Sequence, residues 1–181
     1  MGSALDQAVA LAWRGSRARP VRLNGALVYP QLNNWSCGPM ALRYCLMAYG
    51  LDVDPRSIAR LARSTRAGTG QYSMQAAAFK LGFDLRFTDA LTAKDAKLLI
   101  DSSLALGRPV VLSVDKWQHW VACLGHTRAG YLVMDSSRPG PVIQLHGWRR
   151  VQKRLRHYPR ESQHVIYSFA ALTPRPVQIP Q

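Results

Sequence analysis

Carboxylates are scarce in this chain: ten Asp and Glu against 24 Lys and Arg in 181 residues, a formal charge of +14. Cysteine is scarcer still. The three present, Cys37, Cys45 and Cys123, are odd in number and contain no C-x-x-C pair. That argues against a disulfide framework and a thiolate zinc site, and it fits a reducing compartment. No run approaches the roughly 18 uncharged apolar residues of a membrane span. Residues 1–13 are weakly apolar but broken by Asp6, and the cations Arg14, Arg17 and Arg19 follow them, the reverse of a secretory signal. Internal repeats and long low-complexity segments are also lacking. The expected setting is the cytoplasm, or a target cell into which the chain is delivered as a secreted effector domain.

What is present suffices for one globular domain, since 48% of the residues are apolar. The charge is uneven. Residues 136–181 carry eight cations against Glu161 alone, whereas residues 31–135 carry twelve against eight acids. The chain therefore divides into a basic N-terminal extension over 1–30, a domain over 31–172, and a proline-bearing flexible tail over 173–181.

Local signals order the domain. Residues 38–49 read as a buried helix with Pro39 in its first turn and Gly50 as a left-handed cap. Asp54 and Pro55 are the N-cap and first position of a second helix to about residue 63. A polar, glycine-bearing loop follows over 63–71, then a short helix over 73–80 and an alternating strand over 83–87. Thr92 and Asp95 form a capping-box variant before a helix to about residue 106. From there the period changes: residues 109–114, 119–125 and 131–135 are three β-rich runs joined by turns. Residues 146–158 predict one more helix and 164–172 a last strand. Helices first and strands later indicate an α+β fold, an N-terminal helical part packed on a small antiparallel sheet.

Cys37 stands where this pattern starts its first helix. A helix N-terminus offers unpaired N–H groups and a partial positive charge, both of which lower a thiol pKa. A thiolate nucleophile needs a base, and among five histidines only His119 opens a β-patterned run after a turn. Asp135 ends the next run. Antiparallel pairing of the two would set the end of one beside the start of the other, and so Asp135 beside His119. Gln31, six positions before Cys37, could reach the same oxygen as the Cys37 backbone N–H and complete an oxyanion hole. Each residue alone has an ordinary explanation: a structural cysteine, a surface histidine, a turn-forming aspartate, a lone glutamine. Together they form an ordered set. Around it, Gly38 would let a substrate approach the backbone, Trp120 would cover the site, and Trp35 would flank it.

The combination Gln31, Trp35-Ser36-Cys37-Gly38-Pro39-Met40-Ala41, Gly107-Arg108-Pro109-Val110-Val111, His119-Trp120-Val121 and Gly130-Tyr131-Leu132-Val133-Met134-Asp135 resembles the papain-like peptidases that process double-glycine leaders of bacteriocins, and their free-standing relatives. The resemblance spans about residues 31–135. It implies a papain-like cysteine peptidase fold, with Cys37 as nucleophile, His119 as base, Asp135 as its orienting acid and Gln31 as oxyanion donor. It implies a protein or peptide substrate, no metal and no cofactor. Two positions depart from the pattern: Ser36 stands where leader peptidases often have Asp, and Ser136 where relatives often have Pro.

The expected activity is hydrolysis of a peptide or isopeptide bond through a thioester acyl-enzyme. Deamidation and acyl transfer use the same triad and remain open. A papain-like binding module without catalysis has no use for the four residues together. Over 146–158, Trp148, Val151, Leu155 and Tyr158 share one face and Arg149, Arg150, Lys153, Arg154 and Arg156 cover the rest. That segment reads as a packed helix with a solvated basic face, open to an acidic partner. No groove-reading motif accompanies the charge, so nucleic acid is the least favoured partner.

Overall fold

The structure, a computed structural model, describes residues 21–23, 26–31, 33–137, 142–159 and 165–176. The signals at Arg14, Arg17 and Arg19 and at residues 177–181 lie outside them. A hairpin comes first, β1 (Val21–Leu23) pairing antiparallel with β2 (Ala26–Val28). Then follow α1 (Cys37–Ala48), α2 (Pro55–Leu61), α3 (Gln71–Lys80), β3 (Phe83–Ala90) and α4 (Ala93–Ala105). The strands β4 (Val110–Val114), β5 (His119–Thr127), β6 (Gly130–Met134) and β7 (Ile143–His146) come next. Helix α5 (Trp148–Leu155) and strands β8 (Arg156–His157) and β9 (Ile166–Pro174) complete the order.

The helix boundaries follow their capping chemistry. Asp54 accepts the Arg56 N–H at the start of α2, and Thr92 accepts the Asp95 N–H at the start of α4. Gly50 sits at φ 78° just past α1, where a side chain would be strained.

All the strands from β3 onward join one antiparallel sheet, in the order β3-β9-β4-β5-β6-β7 with β8 added beside β9. It is larger than the small sheet expected. Successive residues of β4 face opposite sides. Val111 joins the core with α1, α2 and α3, while Val110, Leu112 and Val114 join a second core with α4 and α5. A strand covered on both faces needs no polar alternation, which explains the unbroken apolar run.

Three expectations need correction. The tail expected over 173–181 starts inside β9, where Thr173 and Pro174 pair with Asp84 and Phe83. The segment 146–158 is helical only over Trp148–Leu155: His146 ends β7 and Arg156–His157 form β8. Helical periodicity in the middle hid short sheet pairings at both ends. The basic face is also smaller than expected, because Arg154 turns inward to two carboxylates.

The hairpin ahead of residue 30 packs as part of the core. Leu23 and Val28 are buried with α1. Two side chains of α1 reach back to it: Arg43 Nη2 donates to Leu27 O at 2.8 Å, and the Tyr44 hydroxyl to Tyr29 O at 2.6 Å.

Candidate active site

Cys37 is the first residue of α1 and only 5% exposed. Helix α1 packs against β5, the strand that His119 opens. Strand β6 pairs with β5 so that Ala122 faces Met134, which leaves Asp135 next to the start of β5. His119 Nε2 donates to Asp135 Oδ1 at 2.8 Å, and its other ring nitrogen is left for the thiol. Asp135 is fixed further by the backbone N–H and hydroxyl of Ser137, 3.0 and 2.6 Å from the same Oδ1.

The electrostatics follow from these neighbours. Burial by itself pushes the Cys37 thiol up. The hydrogen bond with His119, the backbone N–H of Trp120, the charge of His119 and the backbone N–H of Gly38 outweigh it and bring the thiol below its usual value. Burial lowers the imidazole pKa, but bonding to Asp135 and Cys37 raises it to about 9. Burial likewise raises the Asp135 carboxyl, whereas His119 and Ser137 hold it well below the ordinary carboxylate range. A lowered thiol beside a raised imidazole is the electrostatic description of a thiolate–imidazolium pair. By contrast, burial drives Cys45 well above its normal value and Cys123 up to about 12.

Gln31 is tied to the residue after Asp135. Its backbone N–H donates to Ser136 O at 2.9 Å, its Oε1 accepts the Ser136 hydroxyl at 2.8 Å, and its Nε2 donates to Asn33 O at 2.8 Å. One Nε2 proton is left over. Ser136 supplies two of these tethers, its carbonyl and its hydroxyl.

The cavity at Cys37, about 610 Å³, is walled by residues 65–70 on one side and by Trp117, Gln118 and Trp120 on the other. Trp120 lines the same cavity as Cys37, with its indole N–H on Thr69 O at 2.9 Å and its ring edge-on to Phe87. Trp35 instead lines a separate cavity of about 590 Å³ with Tyr29, Met40 and Pro55. Gly38 has another use than the one expected. A Cβ there would stand 2.8 Å from Thr69 Cβ and 3.1 Å from Met74 Sδ, so the missing side chain makes room for the protein's own loop rather than for a ligand.

One residue of the site escaped sequence reasoning. Arg154, on α5, places Nη1 2.7 Å from Asp135 Oδ2 and Nη2 2.6 Å from Asp115 Oδ2, while its carbonyl accepts the Asp115 N–H at 2.9 Å. Asp115, Lys116 and Trp117 are three successive non-glycine residues at positive φ (54°, 61° and 62°) in the turn leading to His119. Left-handed backbone costs roughly 1–2 kcal/mol per residue. Arg154 thus holds the triad-position carboxylate and the strained turn together. The run of basic residues around it masked that role.

Helices on an antiparallel sheet, with a low-pKa thiol at a helix tip, define a papain-like cysteine peptidase. Residues 27–144 match the model of the Peptidase C39 family, to which this chain belongs. Among solved structures, it is similar to the peptidase domain of Streptococcus ComA, a bifunctional ABC transporter of a quorum-sensing pathway. The two are 20% identical with a TM-score of 0.63, over 82% of this chain and 98% of that one. A double glycine motif protease from an AMS/PCAT transporter, solved with its leader peptide, is 13% identical with a TM-score of 0.60, over 88% and 94% of the two chains. The N-terminal peptidase C39-like domain of a toxin secretion ATP-binding protein from Vibrio parahaemolyticus is 14% identical with a TM-score of 0.54, over 80% and 100%. Among curated proteins no sequence matches. No helix among the described residues is long and apolar enough to cross a membrane.

Proposed function

We propose that this peptidase hydrolyses its substrate through a thioester on Cys37. In this reading, the thiolate attacks the scissile carbonyl carbon, and the oxyanion is held by the Cys37 backbone N–H and the remaining Nε2 proton of Gln31. His119 gives its proton to the leaving amine, then takes one from the water that cleaves the thioester. Asp135 keeps the ring turned with Nε2 inward. The observation that carries the reading is the shared chain of Cys37, His119 and Asp135, with its lowered thiol and an imidazole raised to about 9. A peptide substrate is supported by the family and by the leader peptide bound to the AMS/PCAT protease. All three cysteines are free, and a nucleophilic thiol stays reduced most readily in the cytoplasm, where we place the reaction.

The test is a comparison of new peptide termini in a whole proteome digested with wild type or with Cys37→Ala. Termini present only with wild type, and absent with His119→Ala, are expected. Unchanged termini, with substrate glutamine converted to glutamate, would replace peptide hydrolysis by deamidation.

A further inference from the structure

Beside the Cys37 cavity lies a second one of about 350 Å³, lined by Gln71, Asp89, Ser113, Trp117, Trp120 and Ser168. Trp117 and Trp120 border both, so the two spaces adjoin across the indoles flanking His119.

Sheet register builds this second cavity. Asp89 on β3 faces Ser168 on β9, and Ser113 on β4 faces Trp120 on β5. Leu112 faces Phe169, so one step further along β4 and β9 sets Ser113 beside Ser168. Directly paired residues project to the same side of a sheet. A row of Asp89, Ser168, Ser113 and Trp120 therefore crosses four strands on one face. Along the same face, Val111, Ala122 and Ala170 pack under the helices as core. At the row itself, polar groups stand where that core would continue.

The four polar side chains are not tied up in hydrogen bonds, although the Asp89 charge acts on the nearby His157. Among the described residues, Gln71, Asp89, Ser113 and Ser168 make no side-chain hydrogen bond or ion pair, and the Ser113 hydroxyl is buried without a partner in a residue 1% exposed. An unpaired buried hydroxyl is costly unless something else satisfies it. Among the described residues, Asp89, which is exposed, is the single charged one lining the space, in a chain with only ten carboxylates. Two indole side chains complete the wall, Trp117 resting with its ring 4.7 Å from that of His157.

A carboxylate, two hydroxyls, an amide oxygen and two indoles make a cradle for a positive charge on an apolar stem. A stem would lie along the indole side chains and the charge would meet Asp89, with the Gln71 amide oxygen and Ser168 beside it. We propose that this cavity is a specificity subsite for a lysine or arginine side chain of the peptide substrate. It rests on the peptidase reading for the identity of the chain that delivers the side chain. The net charge of +14 disfavours a cation at long range, but that field is screened beyond about 10 Å in 0.1 M salt, whereas Asp89 acts at contact.

The test needs no turnover. Indole N–H signals of the full-length protein are followed by NMR during titration with N-acetyl-lysinamide or N-acetyl-norleucinamide. Saturable shifts of Trp117 and Trp120 with the lysine compound alone are expected, with affinity reduced about tenfold or more in Asp89→Asn. Unmoved Trp35 and Trp148 signals certify that this variant is folded. Equal shifts with both compounds, no shift, or an Asp89→Asn titration identical to wild type would each overturn the subsite. None of these outcomes touches the peptidase reading, which selective alkylation of Cys37 judges separately.

Discussion

Arg154 Nη1 and Asp135 Oδ2 stand 2.7 Å apart, with the arginine side chain 20% exposed and the aspartate 5%. The pair joins a helix near the C-terminal end to the carboxylate hydrogen-bonded to His119, and the same guanidinium closes on Asp115. Removing one member of a buried pair leaves the other charge stranded, at roughly 3–5 kcal/mol. Arg154→Met should fall near the lower end of that range, since Asp115 is half exposed. Arg154→Lys should recover part of the stability but not the two-carboxylate grip, because an ammonium lacks the planar fork. Thermal unfolding checks the first expectation. The pH profile of Cys37 alkylation checks the second: if Arg154→Lys matches wild type throughout, the fork does not matter.

The thiol and imidazole shifts fix a pH window. Cys37 is lowered from 9.0, and His119 is raised from 6.5 to about 9. The thiolate–imidazolium form exists between the two, so turnover should rise as pH passes the lowered thiol value and fall as pH passes about 9. Stability follows the same groups. The raised His119 contributes fully below about 6.5, and its share is lost as pH rises through about 9. The depressed Asp135 contributes above about 3.8, and its share is lost as pH falls further. Asp135→Asn should bring the alkaline limb of turnover down toward the ordinary imidazole range. An unchanged limb in that variant would detach Asp135 from His119.

Cysteine labelling gives a sharper contrast. Iodoacetamide near neutral pH should modify Cys37 alone, because Cys45 and Cys123 are fully buried and their thiols are pushed up. Peptide mapping after brief exposure measures it. Comparable labelling at all three positions would mean that Cys37 is not ionised.

How much of this could be read from residues alone depended on the range of the interactions. Asp54, Thr92 and Gly50 act within a few positions, and their helix ends were legible. The pairing of His119 with Asp135 was legible because one short turn separates their strands, so register carried the geometry. Arg154 was not, since its partners lie 19 and 39 positions away and nothing local distinguishes it from Arg149 or Arg150. The Asp89–Ser168–Ser113 row was hidden for the same reason: three strands distant in sequence must be aligned before it exists. Gly38 misled because a glycine beside a nucleophile suggests ligand access, while the space is claimed by Thr69 from a loop thirty residues on.

Gly38→Ala should therefore act as an overpacking substitution. With Thr69 Cβ at 2.8 Å, loop or helix must shift, at about 1–3 kcal/mol. Gly70→Ala is the control, having nothing within 4 Å of the added carbon and an ordinary negative φ. Chemical denaturation distinguishes them. Equal midpoints would show that the 65–70 loop yields freely.

Gln31 offers a way to separate oxyanion stabilisation from thiol activation. Alkylation by iodoacetamide develops no negative charge on a carbonyl oxygen, whereas acyl transfer does. Gln31→Ala should thus reduce peptide turnover by roughly 10²–10³ while leaving the alkylation rate of Cys37 within a few-fold of wild type. The variant also loses the side-chain bonds to Ser136 and Asn33, so some stability should go with it. Gln31→Glu keeps the length and an acceptor for Ser136 but replaces the Nε2 donor by an oxygen. It should restore the Ser136 bond but not the Asn33 one, where two oxygens would now face each other, so only part of the stability and none of the turnover should return. A Gln31→Glu enzyme as active as wild type would show that the oxyanion is held by backbone N–H groups alone, and Gln31 would then be a brace for the Asp135–Ser136 segment.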